Sequence, residues 1–475
     1  MPTFWVPRAV LPGGAASGVR IEVSGGRIGS VTTGAESPHP DDVVLRGTAL
    51  PGLVSAHSHA FHRALRGRTH DGGGTFWTWR ERMYEVSAAL EPASYFKLAR
   101  ALFSEMLLAG YTTVGEFHYL HHRPGGRPYD DPNAMGLALI AAAREVGIRL
   151  TLLDTAYLRG GLSDDGAPLP LSAEQERFSD GTFEAWVVRH RALRLALDDM
   201  VEVSDDYAFA DSAPGVASTA GDSIRLGMAA HSLRALDALT AYAMRTEFPH
   251  EVMHAHVSEQ PLENRQVEAA EGRRPVDLLD DFEILGPLFT AVHATHLTDR
   301  EVRMLGASRS NVSFCPTTER DLADGVGPGS ALLAAGASLC LGSDQNAVVD
   351  PFEEVRGLEL DERLVTGQRG RFTPAELLHS ASAAGYASLG WSDGGTLAAG
   401  SLADFVVVDD SSVRTAGGES LQLPLVATSA DVTDVVVAGS HVVRDRVVAA
   451  GSRTASDVGR ELASSIAALV EGSAS

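Results

Sequence analysis

The chain has 475 residues, 44% of them hydrophobic and 21% charged, with 39 lysines and arginines against 62 aspartates and glutamates for a formal charge of −23. That length exceeds one ordinary domain and suits a large core fold with an accessory domain. So acidic a surface repels phosphate backbones and anionic membrane faces, which argues against nucleic acid and membrane partners, and with neither a signal peptide nor an 18-residue apolar run the sequence reads as cytoplasmic.

Residues 1–48 carry short β-patterned pieces such as VRIEVSGGRIGSV, with a Gly-Gly turn. From 49 to 390 the texture alternates. Apolar strand-like runs appear at LVSAHSH, TTVGEFHYL, RLTLLDTAYL, RLGMAAHSLRA, VMHAHVSEQ, FTAVHATHL, NVSFCPTTE and SLCLGSDQN. Helical stretches such as SYFKLARALFSEMLLAG and NAMGLALIAAAREVG separate most of them. Eight strands alternating with helices predict a (β/α)8 barrel of the TIM type, whose active sites sit at the C-terminal ends of the strands. The polar residues gather at those ends. The stretch DDGAPLPLSAEQERFSDG (164–181) reads as a polar loop insertion after the third strand. Cys315 and Cys340 fall in the seventh and eighth runs, where buried thiols behave as small hydrophobes. Hairpin texture returns at 391–451, so a small β-sandwich is expected from both chain ends, followed by a helix over 452–475.

The first run ends in His57 and His59. Residues two apart on a strand point to one side, and paired imidazoles gain little unless something electrophilic lies between them. An isolated pair of this kind is more readily two solvated loop histidines, so the other strand ends have to decide. The fifth run carries His256, the sixth His293 and the eighth Asp344. Two histidines from one strand, a third from strand five and an aspartate from strand eight can converge on one axial point. Such nitrogen and oxygen donors suit zinc first, with iron and manganese accepting similar ligands. Glu259, three positions after His256, lies just past its strand end, where it can face a substrate without ligating a metal.

This order of strand-end residues resembles the amidohydrolase superfamily, and within it the mononuclear aminohydrolases, across nearly the whole chain. The runs HSHAFHRAL, FWTWRERMY, EFHYLHH, HSLRAL and VHATHL closely resemble the formimidoylglutamate deiminases of histidine degradation. That resemblance implies hydrolysis of N-formimino-L-glutamate to N-formyl-L-glutamate and ammonia in a homodimer. It implies one Zn2+ per subunit on His57, His59, His256 and Asp344, with Glu259, His293 and Asp344 carrying the chemistry. It also implies a substrate site lined by Arg80, Tyr119, His231, Arg234 and His62. Arginine grips carboxylates in a planar, two-pronged way, so Arg234 and Arg80 are each expected to neutralise one carboxylate of a small dicarboxylate. Two positions depart from the family pattern: His62 stands where glutamine is usual, and Asn346 where histidine commonly follows the strand-eight aspartate.

Blander roles are expected elsewhere. His254 fills a lower barrel layer, His296 lies past its strand end, His118, His121 and His122 are structural or solvated, and Trp77 and Trp79 pack. The competing enzyme reading is a deaminase of the same superfamily acting on another small amidine, imine or purine-like ring, for which an aromatic or apolar slot would be needed. A binuclear hydrolase would want a bridging lysine after strand four, and AAHSLRA has none.

Overall fold

The computed structural model describes residues 2–70, 76–206 and 223–473. Eight parallel strands form one sheet in chain order: β1 (Leu53–Ser58), β2 (Tyr111–His118), β3 (Arg149–Ala156), β4 (Ile224–Ser232), β5 (Met253–Val257), β6 (Phe289–His293), β7 (Asn311–Phe314) and β8 (Ser338–Leu341). Each coincides closely with one of the eight apolar runs. Strands covered by helices outside and by packed side chains inside are dry on both faces, which is why they read as continuous rather than alternating hydrophobicity. The barrel closes at its mouth, where the N–H groups of Ser343 and Asp344 donate to His57 O at 3.0 and 2.9 Å and Ser58 bridges Asp344 in parallel. Gly342 makes that closure possible: a Cβ there would stand 2.8 Å from both Cys315 Sγ and His57 O.

The ends of the chain build a second sheet of ten mostly antiparallel strands. Its core, with Phe4, Val6, Val19 and Ile21 against Phe405, Val407 and Val436, is separate from that of the barrel. The two bodies are joined by buried charge. Asp404 accepts from Arg149 Nε at 2.8 Å and Tyr386 OH at 2.7 Å, and from the Ala438 N–H at 2.6 Å. Arg149 opens β3 and Asp404 precedes the strand Phe405–Val408, so this one carboxylate ties the barrel floor to the terminal sheet. Removing one partner of a buried pair leaves an uncompensated charge. Asp404→Asn is therefore expected to cost about 3–5 kcal/mol, read as a lowered urea midpoint; a shift within experimental scatter would refute that role.

Two segments roof the barrel mouth. One is the helix Phe76–Ala89. The other is the insertion after β3, which holds a short hairpin (Gly161–Leu162 with Pro168–Leu169) and a 3-10 turn at Glu176–Phe178. Arg177, fully buried, welds the two: it donates to Ser87 O, to Leu90 O at 2.9 Å and to His122 O at 3.1 Å. A cation on carbonyls at the end of a helix is favourably placed. Gln175 braces the insertion from within, donating to Tyr157 OH at 2.9 Å and accepting from Ser172 N–H at 2.9 Å. No helix among the described residues is long and apolar enough to cross a membrane.

Candidate active site

The polar strand ends meet at the mouth beneath this roof. His57 Nε2 and His59 Nε2 each lie 3.4 Å from Asp344 Oδ1, and His57 Nε2 lies 3.2 Å from His256 Nε2. Ligand atoms of His57, His59 and Asp344 all fall within 4.8 Å of one another, as do those of His57, His256 and His293. Local irregularity aims them. The β1–β2 register shifts between Ser55 and Ser58, and the β4–β5 register shifts between Ala230 and Ser232, and such bulges re-aim side chains beside active sites. Left-handed backbone outside glycine clusters at the same ends, at Ser258, His293, Ala294, Asp344 and Asn346; strain of this kind persists only where surrounding contacts enforce it.

The donor set fits a divalent cation. His59 Nδ1 meets Phe117 O at 3.0 Å and His256 Nδ1 meets His231 O at 2.9 Å. Each ring thus spends its proton on a carbonyl and turns a bare Nε2 inward, the arrangement in which metal-ligating histidines are held. Burial, then the neighbouring imidazoles, pushes the pKa values of His57, His59 and His256 well below the usual histidine value, so the rings stay neutral. The inward Nε2 atoms of His59 and His256 and the Asp344 carboxylate present acceptors toward His57 at one point, an arrangement that suits a divalent cation. Cys315 also approaches, grouped with His293 and Asp344, its thiol pushed up by burial and then by Asp344.

His293 behaves oppositely. Burial alone would lower it, but Glu259, Glu319 and Asp344 hold it up at about 10. Its Nε2 lies 3.8 Å from both Glu259 Oε1 and Asp344 Oδ2, and its Nδ1 lies 3.3 Å from Glu319 Oε1. Glu319 went unnoticed in the sequence because it lies one helical turn past β7, where strand periodicity no longer applies.

These groups open into a cavity of 530 Å³. Arg80, Tyr119, His231, Arg234 and His62 all line it. Arg234 Nη2 is 3.6 Å from Glu259 Oε2, Arg80 Nε donates to Tyr84 OH at 2.7 Å, and His62 Nε2 meets Tyr119 OH at 3.0 Å. Aromatic walls were not foreseen: Trp79, Tyr84, Tyr157 and Phe178 also face the cavity. Tyr157 directly follows β3, so the strand-end rule could have flagged it; the others come from the roof. Trp79 therefore does more than pack, while the side chain of Trp77 lies outside the described residues.

Asn346 is absent from the cavity wall. It is fully buried, its Nδ2 reaching Ser58 Oγ, His59 O and Asp344 O at 3.1–3.2 Å, so it ties β1 to the loop of Asp344 rather than touching a ligand. His254 Nε2 meets Ser388 O at 3.0 Å in a lower layer, and His296 Nε2 meets Asp324 O at 2.7 Å beyond β6. His121 and His122 join a buried network with Asp154, Asp180 and Arg189.

Residues 48–442 match the amidohydrolase family. A formimidoylglutamate deiminase of Pseudomonas aeruginosa is 35% identical over 96% of this chain and 97% of its own. Among solved structures, an amidohydrolase from Brucella melitensis superposes with a TM-score of 0.86 at 29% identity, covering 99% of this chain and 100% of that one. An adenosine deaminase from Xanthomonas campestris, solved with bound zinc, superposes at 0.77 and 22% identity over 100% and 98% of the two chains. A shared barrel, a terminal sheet built from both ends and a match along almost the entire length lead to one conclusion: the chain belongs to the amidohydrolase family, and it is a hydrolase acting on carbon–nitrogen bonds.

Proposed function

We propose that this enzyme hydrolyses N-formimino-L-glutamate to N-formyl-L-glutamate and ammonia. The observation that carries the reading is that two arginines, Arg234 and Arg80, line the same cavity as the cation-fitting cluster, in a chain whose charge is −23. Guanidinium groups grip carboxylates in a planar, two-pronged way, so two of them on one cavity wall suit a small ligand that carries two carboxylates. The 35% identical Pseudomonas relative adds weight to this choice of substrate.

His57, His59, His256 and Asp344 would hold the metal, with zinc preferred by such donors. A cation bound there supplies a Lewis acid and brings the pKa of water toward neutrality. The remaining work belongs to the protein. Asp344 takes a proton from water as the oxygen adds to the formimino carbon. His293, kept cationic by the carboxylates around it, steadies the developing negative charge. Glu259 relays the proton remaining on the added hydroxyl to the departing nitrogen, a positioned role worth about 10²–10⁴-fold. Asp344 returns the proton it took to the same nitrogen, the C–N bond breaks as the C=O bond forms, and ammonia leaves with both carboxylates as they began. Arg234 and Arg80 pair with the two carboxylates, while Tyr119, His231 and His62 fix the formimino end. The same reading carries a cytoplasmic homodimer with it.

Trp79, Tyr84, Tyr157 and Phe178 favour a second reading, deamination of a flat heteroaromatic ring by the same apparatus. Ammonia release separates the two. Turnover of N-formimino-L-glutamate, with N-formimino-L-aspartate slower and guanine inert, is expected; turnover of guanine alone would overturn the first reading. Arg234→Met is expected to raise KM for N-formimino-L-glutamate by roughly 10–100-fold, since a charge-assisted hydrogen bond is worth about 1.5–3 kcal/mol. An unchanged KM would remove Arg234 from the site.

A further inference from the structure

Three consecutive residues just past β5 are each gripped by a buried side chain. Ser258 sits at φ 53, a region costly outside glycine, and its hydroxyl donates to Asn264 Oδ1 at 2.8 Å. Asn264 Nδ2 in turn donates to His296 O at 2.9 Å. The Glu259 N–H donates to Glu263 Oε2 at 3.0 Å. Gln260 Nε2 donates to Asp324 Oδ1. Glu263 and Asn264 both belong to the start of the helix Pro261–Glu271, so that helix reaches back to clamp the turn preceding it.

Glu263 is an expensive choice for this duty. It is 1% exposed, its Oε1 has no hydrogen-bond partner, and it faces the cavity beside Glu259 and Arg234. A buried carboxylate left half-satisfied costs desolvation energy. The other oxygen of Glu263 accepts the Glu259 N–H, which ties the proposed proton carrier to the helix that follows it. The Glu259 carboxylate itself has only long contacts, 3.6 Å to Arg234 Nη2 and 3.8 Å to His293 Nε2, so its position depends on its backbone.

We propose that Glu263 is a positioning residue for the hydrolysis: it fixes the backbone of Glu259, and with it the place of that carboxylate in the cavity. The inference rests on the reading of Glu259 as the proton carrier. Misplacement of a reacting group by 1 Å can cost about 10²-fold. Glu263→Ala is therefore expected to lose about 100-fold in kcat per bound metal, with KM for N-formimino-L-glutamate little changed. Glu263→Gln, which keeps an acceptor for the N–H, is expected to stay within about tenfold of the parent. Deuterium uptake in the peptide 254–262 should accelerate in Glu263→Ala and remain slow in Glu263→Gln.

Parental kcat and parental uptake in Glu263→Ala would overturn the proposal. Should the alanine variant not fold, Glu263→Gln decides alone, and a 100-fold fall in its kcat with slow uptake retained would also overturn it. Full activity in Glu259→Gln, or no ammonia from N-formimino-L-glutamate with the parent enzyme, would instead remove the underlying reading. Uptake then still reports whether Glu263 holds the turn.

Discussion

Replacing Asp344 with asparagine is expected to abolish hydrolysis and to lower the metal content of the purified protein. The substituted amide would keep the shape of the side chain and an oxygen toward His57 and His59, but not its charge. With the imidazoles neutral, that carboxylate is the one anionic donor among the four proposed ligands, and its 3.4 Å approach to both rings places it at their common focus. It is also the proposed acceptor of the proton from water. Loss of a positioned base alone costs about 10²–10⁴-fold, and weaker metal binding multiplies that. Metal content by atomic emission together with ammonia release tests both halves. A variant that kept one equivalent of metal and more than a tenth of the parental rate would dismiss Asp344 from both roles. Because a bound ion stabilises only the native state, chelation of the parent should also lower its melting temperature, and should do so far less in Asp344→Asn.

Glu259→Gln is expected to show the complementary pattern: activity down by about 10²–10⁴-fold with metal content unchanged. Its carboxylate lies 3.8 Å from His293 Nε2 and 3.6 Å from Arg234 Nη2, within reach of the cavity but outside the cluster of cation donors. Glutamine preserves the packing and removes the exchangeable proton. The two substitutions therefore dissociate binding of the ion from movement of the proton. Loss of metal in Glu259→Gln would mean that the residue supports the cluster rather than the chemistry, and full activity would remove it from the mechanism.

The roof of the cavity bears on substrate choice as much as the strand ends do. Trp79 and Tyr84 come from the helix Phe76–Ala89, while Gln175 and Phe178 come from the insertion after β3. Arg177, with three carbonyls of neighbouring segments as acceptors, holds these pieces together. Nothing in the local pattern of 164–181 announces this, because a polar run rich in proline and glycine reads as a solvated loop. The fold-back depends on one arginine finding carbonyls some 55 to 90 positions away.

What the sequence determined by itself was the set of eight strands and the residues at their ends. Period-two geometry and dryness on both faces leave a readable trace, and a barrel turns the end of each strand into the wall of one mouth. His57, His59, His256, His293 and Asp344 were legible for that reason. The tertiary structure alone decided which nitrogen each imidazole turns inward, since that depends on Phe117 O and His231 O lying opposite Nδ1. It alone moved Asn346 out of the cavity and brought Glu319, Glu263 and the aromatic roof into play. Apart from Glu263, whose bond to the Glu259 N–H spans four positions, those placements arise from contacts between segments remote in the chain, and pairings of that range leave no period in the order of residues.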